Sequence, residues 1–297
     1  MKTRLALVAA ALVVVVPALA SSWAGRGTIY FWSDRGRPSL YAMDPDGSRA
    51  RSVYRTQQNA KRPTPSPDGR WLAFDGAAPG KRPMSDFDVQ VVRTDGTGRR
   101  TLAGSSAYEL DPAWSPDGSV LSYTRQSAGD WHRSWIWLVR LDGRGRRRLA
   151  RGQFARWSPD GSRLALDAPT AGSDGDLFVV DRSGRVRARL TDTAALEQPA
   201  GWSPDGRRVV FTRFDRDGAS VDVFVVDAAG GHERRLTQGT AQNVAAAWSP
   251  DGREILFTSD RAGHEQVYVM RADGTQQRNL SRSRSADTAT SWSRPRR

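Results

Sequence analysis

Hydrolytic chemistry needs a base beside its nucleophile, and the chain offers three imidazoles, His132, His232 and His264. They fall in three different repeats and show no metal-ligand spacing. His132 and His264 are expected in loops between second and third strands, His232 in a third-to-fourth hairpin, and all three read as solvated. Carboxylates are more plentiful. Asp68, Asp117, Asp160, Asp205 and Asp251 occupy one position of a repeated tetrapeptide. They could be a ring of acids, but their identical local setting points to turn hydrogen bonds instead. The stretches Asp215-Arg216-Asp217-Gly218 and Ser173-Asp174-Gly175-Asp176 offer oxygen ligands to calcium without the twelve-residue EF-hand order, and read as solvated turns. Asn279-Leu280-Ser281 matches a glycosylation sequon by pattern alone.

The positions most open to function are those that differ between repeats while the rest recurs. Just before the first strand of successive repeats stand Lys61, Arg62, Glu109, Asp111, Gln153, Gln198, Asn243 and Asp287, polar and of mixed sign. They are the expected binding residues at one mouth of a central channel. Glu109 and Asp111 could also act as an acid and base pair. A second candidate is the arginine cluster Arg140, Arg144, Arg146, Arg147, Arg148 and Arg151. It lacks the interleaved aromatic residues of a single-strand nucleic-acid platform, so it reads as a charged edge that guards a sheet.

The elements that must position these residues follow from an internal repeat. Ser-Pro-Asp-Gly begins at Ser66, Ser115, Ser158, Ser203 and Ser249, spaced by 43 to 49 residues, and a damaged copy begins at Ser293. Trp114, Trp157, Trp202, Trp248 and Trp292 precede five of the six. Proline presets φ at the second turn position, Asp suits the third and Gly the fourth, which predicts a tight type I turn. A short apolar strand follows each turn, for example Trp71 to Phe74 and Ile255 to Phe257. Then come a variable loop, a second β-rich run such as Val223 to Val226, a Gly-centred hairpin, and a strand ending on Leu102, Leu149, Leu190, Leu236 or Leu280. With the strand that carries Trp, each unit has four strands. Runs such as Phe-Val-Val are not alternating, so both faces of these strands are covered. Recurrence at this period predicts a propeller.

Thr28 to Trp32 and Leu40 to Met43 match the second and third strands of a unit that lacks its first. Ala289 to Ser293 at the other end supplies a first strand alone. Joining them closes a ring. The expected fold is therefore all-β: a six-bladed β-propeller of four-stranded antiparallel blades, closed by the C-terminal strand, over residues 21–297. The tryptophans are expected to pack between blades.

The first twenty residues stand apart. Lys2 and Arg4 precede a wholly apolar run from Leu5 to Val16, then Pro17 and Ala18-Leu19-Ala20, the layout of a signal peptide. The run is shorter than a membrane span requires, so the mature chain is expected to lie outside the cytoplasm, with no span. No cysteine is present, so neither a disulfide nor a lipid-modified cysteine contributes. The net charge of +13 comes almost wholly from arginine, since Lys2, Lys61 and Lys81 are the lysines. It favours acidic partners in general.

The segments Trp114 to Gly118, Trp157 to Gly161, Trp202 to Gly206 and Trp248 to Gly252 resemble the repeats of the TolB family of periplasmic β-propellers. Ser33-Asp34-Arg35-Gly36 and Ser259-Asp260-Arg261-Ala262-Gly263 sit where that family has a Ser-Asp-Arg-x-Gly loop. The resemblance implies a fold more than a function. TolB itself carries a further N-terminal α/β domain, for which this chain is expected to have no room. No Gly-x-Ser-x-Gly elbow of a propeller-bearing peptidase occurs. The expectation is an exported, non-catalytic, monomeric module with no cofactor or metal, in the cell envelope or outside the cell. Its partner is a protein, with an anionic envelope polymer as second class and no specific nucleic acid. The alternative is a propeller-type lyase or glycoside hydrolase using channel carboxylates.

Overall fold

A computed structural model describes residues 27–35, 39–55, 61–77, 87–127, 130–171, 173–216, 218 and 220–294. The expected signal peptide, Gly36 and Asp217 lie outside them, as do the side chains of Lys61, His132 and Asp174. Among the described residues no helix is long and apolar enough to cross a membrane.

The structure is an all-β propeller. The chain opens with β1 (Thr28–Ser33), β2 (Ser39–Met43) and β3 (Arg51–Arg55). A second sheet holds β4 (Lys61–Pro65), β5 (Trp71–Ala77), β6 (Phe87–Arg93) and β7 (Arg100–Ala103). A third holds β8 (Tyr108–Trp114), β9 (Val120–Ser127), β10 (Asp130–Arg140) and β11 (Arg147–Arg151). Next come β12 (Gln153–Trp157), β13 (Arg163–Thr170), β14 (Ser173–Asp181) and β15 (Val186–Arg189). They are followed by β16 (Leu196–Trp202), β17 (Arg208–Phe214), β18 (Val221–Asp227) and β19 (Arg234–Arg235). The last complete unit is β20 (Asn243–Trp248), β21 (Glu254–Ser259), β22 (Gln266–Arg271) and β23 (Arg278–Asn279). Finally β24 (Asp287–Ser293) pairs antiparallel with β1, Ile29 opposite Trp292, and completes the first sheet.

Hydrogen bonding does not divide these strands into six separate sheets. It gives four four-stranded sheets and one of eight strands, because Gly175 in β14 pairs in parallel with Leu196 in β16. Glycine permits this stitch: a Cβ at position 175 would lie 3.1 Å from Leu196 Cδ1 and 3.0 Å from Asp167 Oδ2. Two smaller expectations are corrected. His132 lies within β10 rather than a loop, and the closing strand starts at Asp287, two residues before Ala289. Leu190, Leu236 and Leu280 fall just beyond their short fourth strands, yet all three are buried.

The core lies between sheets. One cluster joins Val210, Val223 and Val225 to Ile255, Phe257 and Met270 of the next unit. Another joins Leu256, Val267 and Val269 to Ile29, Phe31 and Trp292 across the closure. Sandwiching explains why the strands are apolar on both faces. Trp114 and Trp202 each donate through Nε1 to a carbonyl of the preceding unit, Thr64 at 3.2 Å and Arg156 at 2.9 Å. Arg163 covers the Trp202 ring and Arg208 the Trp248 ring at 5.2 and 5.4 Å, so part of the arginine excess serves cation–π contacts between units.

The repeated turn does what its residues dictate. In the first copy Gly69 N donates to Ser66 O at 2.8 Å, and Ser66 Oγ donates to Asp68 Oδ1 at 2.5 Å. The same Asp68 Oδ1 accepts from Arg70 N at 3.0 Å. The glycine sits at φ +67°, a left-handed conformation in which another residue is strained. In the third sheet the Ser115 hydroxyl, the Ser119 amide and the Ser119 hydroxyl hold Asp117 down at about 2. Because Asp117 is exposed, its effect is that of a cap: Asp117→Ala is expected to cost about 1 kcal/mol in denaturant unfolding and to leave the fold intact. That contribution is present above the ordinary carboxylate range and lost as pH falls through about 2.

Candidate functional site

Every first strand meets its second strand with a one-residue bulge, at Lys61/Thr64, Leu110/Ala113, Gln153/Arg156, Pro199/Gly201, Ala245/Ala247 and Thr290. A bulge re-aims a side chain. In three consecutive units, β4, β8 and β12, the bulge carries a non-glycine residue at left-handed φ: Arg62 (+50°), Asp111 (+54°) and Phe154 (+52°). Each such residue costs on the order of 1 kcal/mol. All three line a central cavity of about 460 Å³, a size in the range of ligand pockets.

The wall they form is an ion-pair ladder. Arg62 Nη1 donates to Asp75 Oδ2 at 2.7 Å, and its guanidinium lies 5.7 Å from the centre of the Phe154 ring. Asp75 Oδ2 also accepts from Asp111 N at 3.3 Å. Asp111 in turn takes both guanidinium ends of Arg156, Nη1 at 2.5 Å and Nη2 at 2.9 Å. Burial pushes the Asp75 carboxyl up against the pull of Arg62. Burial also works against the Arg62 charge, but Asp75 and Asp111 outweigh it and raise its pKa. The opposite wall is small and apolar, from Val244 to Ala247 and Ala289.

Of the residues expected from the sequence, Arg62, Asp111 and Gln198 line this cavity. None of the eight stands before its strand; all lie within β4, β8, β12, β16, β20 or β24. Lys61 is described by its backbone alone, opposite Asp75. Glu109, Asn243 and Asp287 turn away into a recurring arginine–aromatic device. Arg125 lies 5.2 Å from the Trp137 ring and 3.6 Å from Glu109. Arg261 lies 4.8 Å from the Tyr268 ring and donates to Asn243 Oδ1 at 2.9 Å. Arg35 lies 5.5 Å from the Phe31 ring and donates to Asp287 Oδ2 at 2.6 Å. Glu197 is held in the same way by Arg213, over Phe224. These positions differ in side chain but share one framework task. Gln153 is buried, 6 % exposed, and paired through its backbone with Asp167.

Glu109 and Asp111 therefore do not converge as an acid and base. Glu109 faces Ser105 and Arg125 while both oxygens of Asp111 are taken by Arg156. The residues that sequence reasoning missed are Phe154, Arg156 and Asp75. The signal for Phe154 was positional, since it stands four residues before its turn serine, as Arg62 and Asp111 do.

The other candidates are accounted for locally. His232 Nδ1 meets Asp227 Oδ2 at 2.8 Å, and His264 Nε2 meets Ser283 O at 3.0 Å. Asp176 is fully buried among Thr170, Arg189 and the Thr193 amide, and Asp215 accepts from Ser220. Among the described residues no group of three His, Cys, Asp or Glu is placed to hold a metal. Asn279 bonds Gln266 and Arg282. In the arginine cluster, Arg146 and Arg147 donate to Leu102 O and Arg182 O of the neighbouring units, and Arg148 stacks on Trp135 at 4.1 Å.

The chain is similar to TolB proteins in sequence and in fold. Over 187 residues the chain is 30% identical to the Protein TolB homolog of Chlorobium chlorochromatii, covering 63% of this chain and 31% of that protein. It is 32% identical over 125 residues to the Tol-Pal system protein TolB of Anaeromyxobacter dehalogenans, 41% of this chain and 28% of that one. The chain thus spans less than a third of the curated relatives it matches. The crystal structure of TolB from Acinetobacter baumannii superposes with a TM-score of 0.71 at 19% identity, over 90% of this chain and 65% of that one. A TolB-type structure from Agrobacterium tumefaciens gives 0.66 at 21% identity, over 90% and 91%. The family model of the TolB beta propeller domain matches residues 19–156, 80–221 and 213–296, and the chain belongs to that family.

Proposed function

We propose that this chain is an exported, non-catalytic propeller that binds a protein partner at the mouth of its channel, a scaffold module of the cell envelope or of the space outside the cell. The observation that carries this reading is the strained wall: three consecutive bulges held at left-handed φ, each turning Arg62, Asp111 or Phe154 into the cavity. Residues held in such conformations cluster at ligand-facing sites, and here three of them stand on the first strands of adjacent units at one face. The eight-stranded sheet is two blades stitched at Gly175, which makes six blades with the closed first one. Residues 1–20 act as the export signal, and residues 21–297 as the single propeller domain. Relatives with the name Tol-Pal system protein agree with an envelope setting.

Among the described residues Val186 is the one large apolar side chain that is exposed, so recognition rests on the polar channel mouth and not on an apolar rim. The test is capture of partners from envelope extract by the mature protein and by the double variant Arg62→Gln with Asp111→Asn. Recovery of the bound partner is expected to fall about tenfold, the effect of losing one or two charge-assisted bonds. Undiminished capture by a folded double variant overturns the proposal.

A further inference from the structure

The cavity has a chemical preference that its hydrogen bonds reveal. Most of its polar groups are already committed. Asp111 gives both oxygens to Arg156, and Arg156 Nε and Nη1 donate further to Ala200 O and Ala155 O, each at 3.1 Å, so that four of its five N–H groups are taken. Thr290 and Ser291 donate to Pro63 O. Thr288 donates to Glu265. Arg62 is different. It spends Nη1 on Asp75, while no described residue bonds Nε or Nη2. Its side chain stays 44 % exposed although it stands within the ring, because it faces the cavity. The Gln198 side-chain amide, on the same lining, has no hydrogen-bond partner among the described residues. Uncommitted donors of two side chains thus share a cavity whose other wall is Val244, Ala245, Ala246, Ala247 and Ala289.

The geometry points to a site for an apolar carboxylate: the carboxyl group on the open edge of Arg62 and on Gln198, the apolar body against the alanine wall. A guanidinium edge is shaped for two parallel bonds to a carboxylate. The Phe154 ring beneath Arg62 and the left-handed bulge hold that edge in place before a ligand arrives, which lowers the cost of ordering it. Asp75 anchors the other end of the guanidinium. This inference rests on the channel being the binding face and adds what it binds.

The test uses 3-phenylpropionate and its uncharged amide, titrated calorimetrically into the mature protein, with the fluorescence of the cavity-lining Trp32 and Trp292 as a second readout. The acid is expected to bind at least about tenfold more tightly than the amide, the ratio one charge-assisted pair supplies. Arg62→Gln removes the guanidinium and is expected to bring the acid down to the level of the amide. Because that change also leaves Asp75 buried without its cation, Gln198→Leu serves as the variant that disturbs no framework bond. It is expected to weaken the acid about fivefold with unchanged unfolding. Equal affinity for acid and amide, no binding of either up to about 10 mM, or full affinity in both variants overturns the inference. A short peptide ending in phenylalanine, with a free or an amidated C-terminus, tells the two sources apart. Preference for the free peptide over phenylpropionate assigns the site to a partner's chain terminus, and the reverse assigns it to a small acid. If the partner is still captured through Arg62 and Asp111 but no carboxylate binds, this inference fails and the binding face stands.

Discussion

Replacing Asp167 by asparagine is expected to stabilise the folded protein at neutral and alkaline pH and to flatten its stability between about pH 4 and pH 8. The reason lies in a seam rule. The residue nine positions after each turn serine is Asp75, Thr124, Asp167, Thr212 or Thr258, and in four of these five it accepts a backbone N–H from the first strand of the next unit. Those donors are Asp111, Phe154, Ala245 and Ala289, each four residues before its own turn serine. The equivalent residue opposite Asp167 is Pro199, which has no N–H to give. Asp167 is fully buried and neither of its oxygens has a hydrogen-bond partner. Burial pushes its carboxyl up to about 8, against the nearby backbone amides of Asp167 itself and Gln153 and the Arg156 charge; the Asp111 carboxylate adds to the rise.

The sign follows from linkage. Below the ordinary carboxylate value both folded and unfolded chains hold the proton, and Asp167 carries no ionic penalty. As pH rises from there toward about 8, the unfolded chain releases the proton while the folded one keeps it. Folding stability then falls with pH, and above about 8 the full loss is present. At neutral pH the loss is on the order of 4 kcal/mol, since each pH unit above the unfolded chain's titration adds about 1.4 kcal/mol. An asparagine side chain cannot ionise, so the difference in urea midpoint between Asp167→Asn and the parent is expected to grow from near zero at about pH 4 to its full size at about pH 9. Asp167→Thr, which installs the residue type used at Thr124, Thr212 and Thr258, guards against an asparagine that fits poorly. A constant offset across that range for both variants would show that Asp167 is ionised in the folded protein at neutral pH.

The second large effect belongs to ring closure. Asp287→Ala is expected to lower stability by about 3–5 kcal/mol, the cost of removing one partner from a buried charge pair. Asp287 is fully buried, takes Arg35 at 2.6 and 3.3 Å, and begins the strand that joins the two ends of the chain. Its loss leaves Arg35 over Phe31 and Tyr41 with no carboxylate. In a double-mutant cycle, Arg35→Met with Asp287→Ala is expected to recover part of the loss, since an apolar side chain suits that aromatic platform better than an unpaired cation. A loss below about 1 kcal/mol in the single variant, the range of a surface pair, would mean that β24 is held by packing and backbone pairing alone. The comparison with Asp117→Ala separates an acid that closes the ring from one that caps a turn.

Much of the architecture was legible because its causes are local. A Ser-Pro-Asp-Gly turn is made by four adjacent residues, so its recurrence places strand ends, hairpins and the five tryptophan-bearing strands without knowledge of anything distant. The unmatched strands at Thr28 and Ala289 likewise foretell the closing pair that β1 and β24 form. The Ser-Asp-Arg loops at Arg35 and Arg261 stood out as motifs, but their work did not. Each arginine reaches a residue on the first strand of its own unit, Asp287 or Asn243, through an aromatic pair whose alignment only the strand register sets.

The candidate site was half legible for the same reason. Differences between repeats pointed to Arg62, Asp111 and Gln198, and equally to Glu109, Asn243 and Asp287, because a changed residue looks the same whether it meets a ligand or a neighbour. Sequence determined which units repeat, where they turn and how the ring closes, all through short-range backbone preferences and apolar pattern. Tertiary structure decided which polar residues face the channel. That choice rests on the φ of one bulged residue in each of β4, β8 and β12, while away from the channel a glycine lets two sheets join and a proline withholds a single N–H from the buried Asp167.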